Sequence, residues 1–468
     1  MGAARALTAC RRAGALFTAA VLGGCAGWPE PDAALGRRAD ALVEPLVQAR
    51  QFSGAIALMR DGRMVHARGF GLANHELGLA FTPETPSDGG SLAKTFTAAG
   101  LWWLVHDGRL AMQQRVQDIV PEYPHREATV AHLLAHSNGL APEYESFDRH
   151  FRPGQARTTA ALLAIAGREA PAPTFAPGTR FEYSNIAYDA AGLVIERTSG
   201  QTYESFVRER FFAPHGLVDS FARPAHFADW PGPRTRGYRY RQDRWQDHDA
   251  YDDEAFLGAS NLIFSAADLA RWGDAWARAR VLPAGAERAG REAPRIGGQT
   301  SAINGLSWYC APGGRRCHYT GSLNAFHALV HWDRDRRETV AFVSNSAIPP
   351  LQTIALQRAL VDVLAGRPAQ APDPAPAGFR RTERGGHAVL TGRYRVDGLG
   401  SVAVRPGGPG LQMQVDEGLV HDMFPVSREV FYVPGRDWWV AFSDTAQGLR
   451  LHVHGMYHLA SGARQAAD

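Results

Sequence analysis

The segment Gly90-Ser91-Leu92-Ala93-Lys94-Thr95-Phe96-Thr97-Ala98 contains the one lysine of this 468-residue chain, although the chain has 50 Lys and Arg residues in total. Arginine serves for every other basic position. A guanidinium stays protonated in proteins, whereas a buried ammonium can give up its proton. The single lysine therefore indicates acid/base chemistry, and Ser91, three residues before Lys94, is a candidate nucleophile.

Apolar residues at helical spacing from Leu92 to Val105, closed by Asp107-Gly108, predict a helix that begins at the candidate nucleophile. Free backbone N–H groups and the helix dipole favour negative charge at such an N-terminus. Residues at i and i+3 share one face of a helix, so Ser91 and Lys94 are expected to lie side by side.

The composition excludes some classes of protein. The hydrophobic content of 45% and the length predict a globular fold with a sizeable core. The formal charge of +3 depends on Arg5, Arg11 and Arg12, which precede Cys25. A mature chain without them is net neutral, and we expect no nucleic-acid partner.

The N-terminal segment predicts export. A basic start and an apolar run from Ala13 to Leu22 lead into Leu22-Gly23-Gly24-Cys25, which resembles a bacterial lipobox. The resemblance implies that residues 1–24 are a signal peptide and that Cys25 is lipidated. The protein would then be a lipid-anchored envelope protein facing the periplasm. The alternative is an ordinary cleaved signal peptide.

Two further cysteines, Cys310 and Cys317, flank the turn-rich insert Ala311-Pro312-Gly313-Gly314-Arg315-Arg316. They can face each other across a hairpin, and a disulfide fits an oxidising compartment. The alternative is a pair of free thiols.

The order of elements predicts an α+β fold. Two β-rich runs joined by Asp61-Gly62 indicate a hairpin near the N-terminus. A helix-rich middle follows, and strands return between Ser307 and Ser344 before a helix from Leu351 to Leu364. Strands at both ends of this region suggest one sheet that joins the two halves of the chain.

We place the main domain at residues 33–365. Residues 366–386 are rich in Pro, Ala and Arg without apolar periodicity, and we interpret them as a linker. Residues 387–465 are strand-like with Gly-rich turns, which predicts a small all-β domain.

The segment around Ser91 resembles the nucleophile segment, Ser-x-x-Lys, of the penicillin-recognising serine hydrolases. This family includes class C β-lactamases, low-molecular-weight D-alanyl-D-alanine carboxypeptidases and related esterases. The segment Val130-Ala131-His132-Leu133-Leu134-Ala135-His136-Ser137-Asn138-Gly139-Leu140 is similar to a supporting segment of the family, and Tyr183-Ser184-Asn185 matches its Tyr-x-Asn motif. The resemblance implies a β-lactamase/DD-peptidase-like fold.

The third family motif is normally Lys-Thr-Gly or His-x-Gly, and here the matching residues are Tyr319-Thr320-Gly321-Ser322. No lysine is left to bind a substrate carboxylate from this strand. His318 would point to the other face of a regular strand, although a bulge could exchange it with Tyr319. Arg315 or Arg316 could also supply positive charge. The third motif therefore favours ester or amide substrates without a C-terminal carboxylate.

The resemblance implies acyl transfer through an acyl-enzyme, on a small-molecule or peptide substrate with a carbonyl centre. Ser91, Lys94 and Tyr183 would be catalytic, and Asn185 would bind the substrate or Lys94. The third motif, Tyr319 to Ser322, would bind substrate. The backbone N–H groups of Ser91 and Ser322 would form the oxyanion hole. No cofactor is implied.

Other classes remain as alternatives. A penicillin-binding-type module without turnover, recognising peptidoglycan or a protein partner, would account for Tyr319. An α/β-hydrolase needs a buried strand directly before the serine, which residues 81–88 do not resemble. A metal enzyme is poorly supported because the histidines are dispersed and no His-Glu-x-x-His motif occurs.

The sequence leaves the substrate and the oligomeric state open. Aromatic residues in the loops either line a cleft or pack under those loops: Trp230, Tyr238, Tyr240, Trp245 and Tyr251.

Overall fold

A computed structural model describes residues 32–140, 147, 149–152, 157–250, 252, 254–374, 387–408, 410–446 and 448–465. The predicted signal peptide, Cys25, Tyr251 and most of the predicted linker lie outside the described residues.

A six-stranded antiparallel sheet forms the centre of the main domain. Its strands are β1 (Gly54–Arg60), β2 (Arg63–Phe70), β3 (Tyr309–Cys310), β4 (Arg316–Leu323), β5 (Phe326–Asp333) and β6 (Glu338–Ser344). The spatial order is β3-β4-β5-β6-β1-β2. Strand β1 pairs with β6 along its whole length, from Gly54 opposite Ser344 to Arg60 opposite Glu338. The sheet therefore joins the two halves of the chain, as the sequence predicts.

Helices cover both faces of this sheet. The α-helices of five or more residues in the described ranges are α1 (Ala33–Gln48), α2 (Ala93–His106), α3 (Val130–Leu134), α4 (Thr159–Glu169), α5 (Asn185–Ser199), α6 (Tyr203–Val207), α7 (Ala266–Ala277), α8 (Ala284–Gly290) and α9 (Pro350–Leu364). Successive side chains of a strand point to opposite faces. In β1, Ile56 and Leu58 pack with α1 and α9, whereas Ala55 and Ala57 belong to the larger core that contains α2 and α7.

The middle of the chain is helix-rich but also contains short strand pairs. These strands are Leu72–Asn74, Leu79–Ala80, Ser87–Asp88, Arg157–Thr158, Phe221–Ala222, Tyr238–Arg241, Arg244–Asp247, Glu254–Ala255, Leu262–Phe264, Arg295–Ile296 and Gln299–Thr300. Strand β3 is shorter than predicted because Ser307 has a φ of 63° and the Asn304 side chain accepts the Trp308 N–H. A left-handed residue in this turn delays the start of the strand.

The C-terminal region is a closed eight-stranded barrel. Its strands are β7 (Gly392–Val396), β8 (Gly400–Gly407), β9 (Gly410–Val415), β10 (Val420–Pro425), β11 (Val430–Val433), β12 (Trp438–Thr445), β13 (Gly448–His454) and β14 (Leu459–Arg464). Pairing of β7 with β14 closes the barrel, and closure leaves no unpaired edge. The expected α+β architecture with an all-β C-terminal region is confirmed.

Cys310 and Cys317 form a disulfide at one end of β4. This joins the two strands that flank the predicted turn-rich insert. None of the helices in the described ranges is long and apolar enough to cross a membrane.

Candidate active site

Ser91 lies in the 3₁₀ turn Gly90–Leu92, directly before α2. Gly90 has a φ of 49°, and its N–H donates to Asp88 Oδ1 at 2.9 Å. The other oxygen of Asp88 accepts from buried Arg223 at 3.0 Å. Since positive φ is costly for residues with a Cβ, glycine and a buried ion pair together fix the backbone that presents Ser91.

Lys94 is fully buried, and its Nζ atom contacts three oxygen atoms. They are Ser91 Oγ at 3.0 Å, Asn185 Oδ1 at 2.8 Å and the Ala259 carbonyl at 3.0 Å. A protonated lysine has three N–H donors, so each donor has an acceptor here. In the neutral amine, the lone pair can face Ser91 Oγ and accept its proton.

Tyr183 also contacts Ser91. Its hydroxyl lies 3.1 Å from Ser91 Oγ, and Lys94 Nζ lies 5.2 Å from the centre of its ring. Ser184 caps the N-terminus of α5 by accepting the Ala187 N–H. This cap fixes the start of the helix, where Tyr183 contacts Ser91 and Asn185 contacts Lys94.

His136, from the Val130–Leu140 segment, packs against the ring of Tyr183. The two rings stack with centroids 4.4 Å apart, and His136 Nδ1 accepts the Ser184 N–H at 3.0 Å. Burial, together with the charge of Lys94, holds the pKa of His136 well below its usual value of 6.5. A neutral imidazole therefore orients Tyr183 without adding positive charge.

Tyr319 of β4 points toward the nucleophile, and its hydroxyl lies 3.4 Å from that of Tyr183. Burial, followed by the neighbouring tyrosines, raises its pKa well above 10. It is therefore a neutral hydroxyl where the family usually places a cation. His318 points to the opposite face, where its Nε2 lies 2.9 Å from Asp437 Oδ2 in the barrel.

The end of β4 packs directly against the nucleophile turn. A Cβ placed on Gly321 would lie 1.9 Å from the Gly89 carbonyl oxygen, and one on Gly90 would lie 2.7 Å from the Ser322 backbone N. Only glycine permits such an approach. The contact brings the N–H of Ser322 to the turn that carries Ser91, as the oxyanion-hole hypothesis requires.

The positive charge that Arg315 or Arg316 could have supplied does not reach this site. Arg315 donates to Asp335 at 2.5 Å, and Arg316 lies 5.7 Å from the ring centre of Tyr457. Arg316 lies at the disulfide end of β4, six residues from Ser322, which corresponds to about 20 Å along an extended strand, and Arg315 lies one residue further away. That suggestion from the sequence is wrong.

Two contributors to the site carry no signal in the sequence. The Ala259 carbonyl accepts from Lys94, and a backbone acceptor leaves no side-chain pattern. Asp437, in the turn between β11 and β12, accepts from Thr320 Oγ1 at 3.0 Å. It lies 117 residues away in a separate barrel, and only the folded chain brings the two together.

The aromatic residues of this region that lie within the described ranges pack against rings of other segments. Tyr238 is buried and meets His75 edge to face, with ring centroids 4.6 Å apart. Trp245 packs on the same histidine, at 4.9 Å. Trp230 packs on Phe221, at 5.2 Å. These contacts favour packing over the lining of a cleft.

Within the described residues, no three His, Cys, Asp or Glu side chains group in a way that could hold a metal ion. The groups gathered at the site are a serine, a lysine and two tyrosines, and a serine beside a proton acceptor can act as a nucleophile in acyl transfer.

Residues 39–364 match the model of the Beta-lactamase family, and the chain therefore belongs to that family. It is 22% identical over 441 residues to penicillin-binding protein 4* of Bacillus subtilis (strain 168), covering 88% of this chain and 96% of that protein. It is 32% identical over 214 residues to esterase EstB of Burkholderia gladioli, covering 42% of this chain and 54% of the esterase.

The fold is also similar to a solved structure along nearly its whole length. The octameric penicillin-binding protein homologue from Pyrococcus abyssi superimposes with a TM-score of 0.61 at 21% identity, covering 91% of this chain and 99% of that one. The predicted β-lactamase/DD-peptidase-like fold is confirmed. The family match and these relatives also confirm the prediction of a β-lactamase-related serine hydrolase.

Proposed function

We propose that this protein hydrolyses ester or amide bonds through an acyl-enzyme on Ser91. The observation that carries the proposal is the position of Ser91 Oγ, which lies 3.0 Å from Lys94 Nζ and 3.1 Å from the Tyr183 hydroxyl at the same time. Two groups that exchange protons thus contact one hydroxyl, which is the geometry of an activated nucleophile.

In the proposed reaction, Ser91 Oγ attacks the substrate carbonyl carbon while its proton passes to the Lys94 and Tyr183 pair. The same pair then delivers a proton to the leaving alcohol or amine as the bond to it breaks. In the second half, a water molecule attacks the acyl carbon and gives its proton to the pair. Ser91 is released with its own proton restored.

The oxyanion that forms in each half is proposed to bind the backbone N–H groups of Ser91 and Ser322. The close packing of Gly321 on Gly89 supports this pairing, because it holds β4 against the nucleophile turn. A donor of this type contributes about 3 to 4 kcal/mol of transition-state stabilisation.

We propose that the substrates are esters or amides without a carboxylate beside the scissile bond. Tyr319 is buried and neutral at the position where a family lysine or histidine would stand. Lys94, the one lysine in the sequence, is already bound to three oxygen atoms. The similarity to an esterase supports the hydrolysis of esters.

Two probes test the proposal: a short-chain 4-nitrophenyl ester and a fluorescent penicillin. We expect ester turnover by the full-length protein and an acyl adduct on Ser91 in intact-mass spectra after quenching. Ser91→Ala should lose both signals. A stable penicillin adduct without turnover of any ester would instead favour the binding module without catalysis.

We also propose that the protein is exported and anchored through a lipid on Cys25. The support is the lipobox-like sequence Leu22-Gly23-Gly24-Cys25 behind an apolar run. Expression in a bacterium should place the wild-type protein in the detergent-soluble membrane fraction, with a mass increase at Cys25. Cys25→Ser should abolish that mass increase. An unmodified wild-type protein, free in the periplasmic extract, would contradict the lipid anchor.

A further inference from the structure

Asp437 connects the barrel to the third motif of the hydrolase domain. Its Oδ1 atom accepts from the hydroxyls of Thr320 at 3.0 Å and Tyr432 at 2.8 Å, and its Oδ2 atom lies 2.9 Å from His318 Nε2. The side chain is buried, with 4% of its surface exposed. This carboxylate is therefore fully engaged by three neighbours, two of them on β4.

A second contact holds the same turn of the barrel against the site. The Tyr309 hydroxyl donates to the Pro434 carbonyl, and the ring of Tyr309 lies 5.4 Å from that of Tyr319. Asp437 itself has a φ of 50°, which Asp tolerates better than most residues. The position of the carboxylate is thus fixed by contacts on both sides of the turn.

The contact with Asp437 determines whether the Thr320 hydroxyl donates a hydrogen bond to a substrate or accepts one from it. A threonine hydroxyl has a single hydrogen and two lone pairs. An ionised carboxylate only accepts, so that hydrogen points at Asp437. Thr320 is half-buried and follows Tyr319 in the strand. With its hydrogen used on Asp437, the Thr320 hydroxyl can only accept a hydrogen bond from another group.

Thr320 lies in the part of β4 that packs on the nucleophile turn. Strand β3 pairs with β4 only at Cys317 and His318, so no strand of the described residues covers the outer edge of β4 from Tyr319 to Leu323. Next to Thr320, Gly321 packs on the nucleophile turn, and Ser322 is exposed. A substrate acylating Ser91 would lie along this uncovered edge.

We infer that Asp437 is a specificity-determining residue that makes the site select substrates with a hydrogen-bond donor beside the scissile bond and reject those with a carboxylate. The inference rests on the proposed function and narrows its substrate class. A carboxamide N–H can donate to Thr320. A carboxylate there would find an acceptor in place of a donor, with a second carboxylate 3.0 Å behind it, and leaving an acceptor unpaired is costly.

A matched pair of esters tests the inference: N-acetyl-alanyl-lactate and N-acetyl-alanyl-lactamide, each in the D and the L series. The two esters differ only in a carboxylate or a carboxamide on the leaving group. With the full-length protein, we expect kcat/KM for the lactamide to exceed that for the lactate by at least about 10-fold. Asp437→Asn should reduce this ratio by at least about 5-fold, since it removes the charge and allows the Thr320 hydrogen to turn.

The matched control is Asp422→Asn, because Asp422 is a barrel carboxylate that accepts from Gln412 and lies 3.8 Å from Arg180, and neither partner is on β4. It should leave the ratio unchanged. Thr320→Val, which keeps the side-chain shape, should also reduce the ratio through loss of lactamide activity. This second variant keeps the test valid if Asp437→Asn fails to fold.

Equal hydrolysis of both esters by the wild-type protein would overturn the inference and leave the proposed function standing. The inference is also overturned if the ratio in both Asp437→Asn and Thr320→Val equals that in Asp422→Asn. No hydrolysis of either ester and no acyl adduct on Ser91 would overturn the proposed function together with the inference.

Discussion

The ring of His136 lies nearly parallel to that of Tyr183, with an interplanar angle of 21° and a centroid separation of 4.4 Å. His136 has a φ of 52°, and its carbonyl accepts the Glu182 N–H at 2.8 Å. A residue with unfavourable backbone geometry is thus held in place beside Tyr183. Such strain persists only where the surroundings over-determine it, and here it fixes the tyrosine that contacts Ser91.

Replacing each of the two facing tyrosines by phenylalanine should separate their roles. Tyr183→Phe removes a hydroxyl that contacts Ser91 Oγ, and we expect kcat to fall by about 100- to 10,000-fold, the range for loss of a proton-transfer group. Tyr319→Phe removes only the contact at 3.4 Å between the two hydroxyls, and we expect a loss below about 10-fold. Steady-state ester hydrolysis measures both, and equal losses would contradict the assignment of Tyr183.

Lys94→Arg should preserve the fold and abolish acylation of Ser91. A guanidinium keeps its charge but cannot lose a proton in a protein, so we expect acyl-enzyme formation to fall by at least about 1,000-fold. Intact-mass spectra after incubation with a chromogenic ester give the acylated fraction. The thermal unfolding temperature shows whether the larger side chain is accommodated. Substantial acyl-enzyme in a folded variant would contradict the role of Lys94 as the proton acceptor.

Gly321→Ala should separate β4 from the nucleophile turn. The added Cβ would lie 1.9 Å from the Gly89 carbonyl oxygen, so one of the two backbones must move. A displacement of about 1 Å between reacting groups costs about 100-fold in rate, and we expect kcat/KM to fall by at least that factor.

The control for this substitution is Gly285→Ala in α8, where a Cβ meets no atom within 4 Å. That change should raise the free energy of unfolding by up to about 1 kcal/mol through helix propensity and leave activity unaffected. Normal activity in Gly321→Ala would contradict the close packing of β4 on the turn.

Histidines buried in the neutral form should make stability depend on pH. Burial lowers the pKa of His331 to about 3, with help from the charges of His318, Arg316 and Arg367. The unfolded chain therefore binds a proton below its ordinary pKa of about 6.5, whereas the folded chain does not until near pH 3. Stability is then complete above pH 6.5 and falls as the pH decreases.

From pH 7 to pH 5, His331 alone should reduce the free energy of unfolding by about 2 kcal/mol. His331→Gln should make the pH dependence shallower by that amount, measured by urea denaturation at each pH. His226→Gln is the control, because that side chain is 54% exposed, and it should leave the slope unchanged. An unaltered slope in His331→Gln would be the contrary result.

Local sequence patterns predict those parts of the site that lie close together in the chain. Helical spacing alone places Ser91 and Lys94 side by side, and their atoms lie 3.0 Å apart. The contact from Tyr183 to Ser91 spans 92 residues, and only the family resemblance suggests it. Spacing carries no information over such a distance, since it depends on how the whole domain packs.

Contacts between separate units of the fold are beyond the sequence. Nothing in the local pattern around Asp437 connects it to Thr320, because the turn reads as an ordinary hairpin connection between β11 and β12. The sequence suggests Arg315 and Arg316 as neighbours of the site because they are close to Tyr319 in the chain. A residue close to Tyr319 in the chain can still lie far from Ser91 in space. On an extended strand, each residue adds about 3.3 Å.

The pairing of β1 with β6 also determines when, during synthesis of the chain, the active enzyme can fold. The Ser344 hydroxyl donates to the Ser53 carbonyl, 291 residues earlier in the chain. A chain emerging from the ribosome or a translocation channel therefore exposes β1 and Ser91 long before their partners arrive. Contacts between such distant segments form slowly, so a growing chain carries the nucleophile without its hydrolytic activity. Catalysis therefore begins only after β6 has been synthesised and has paired with β1.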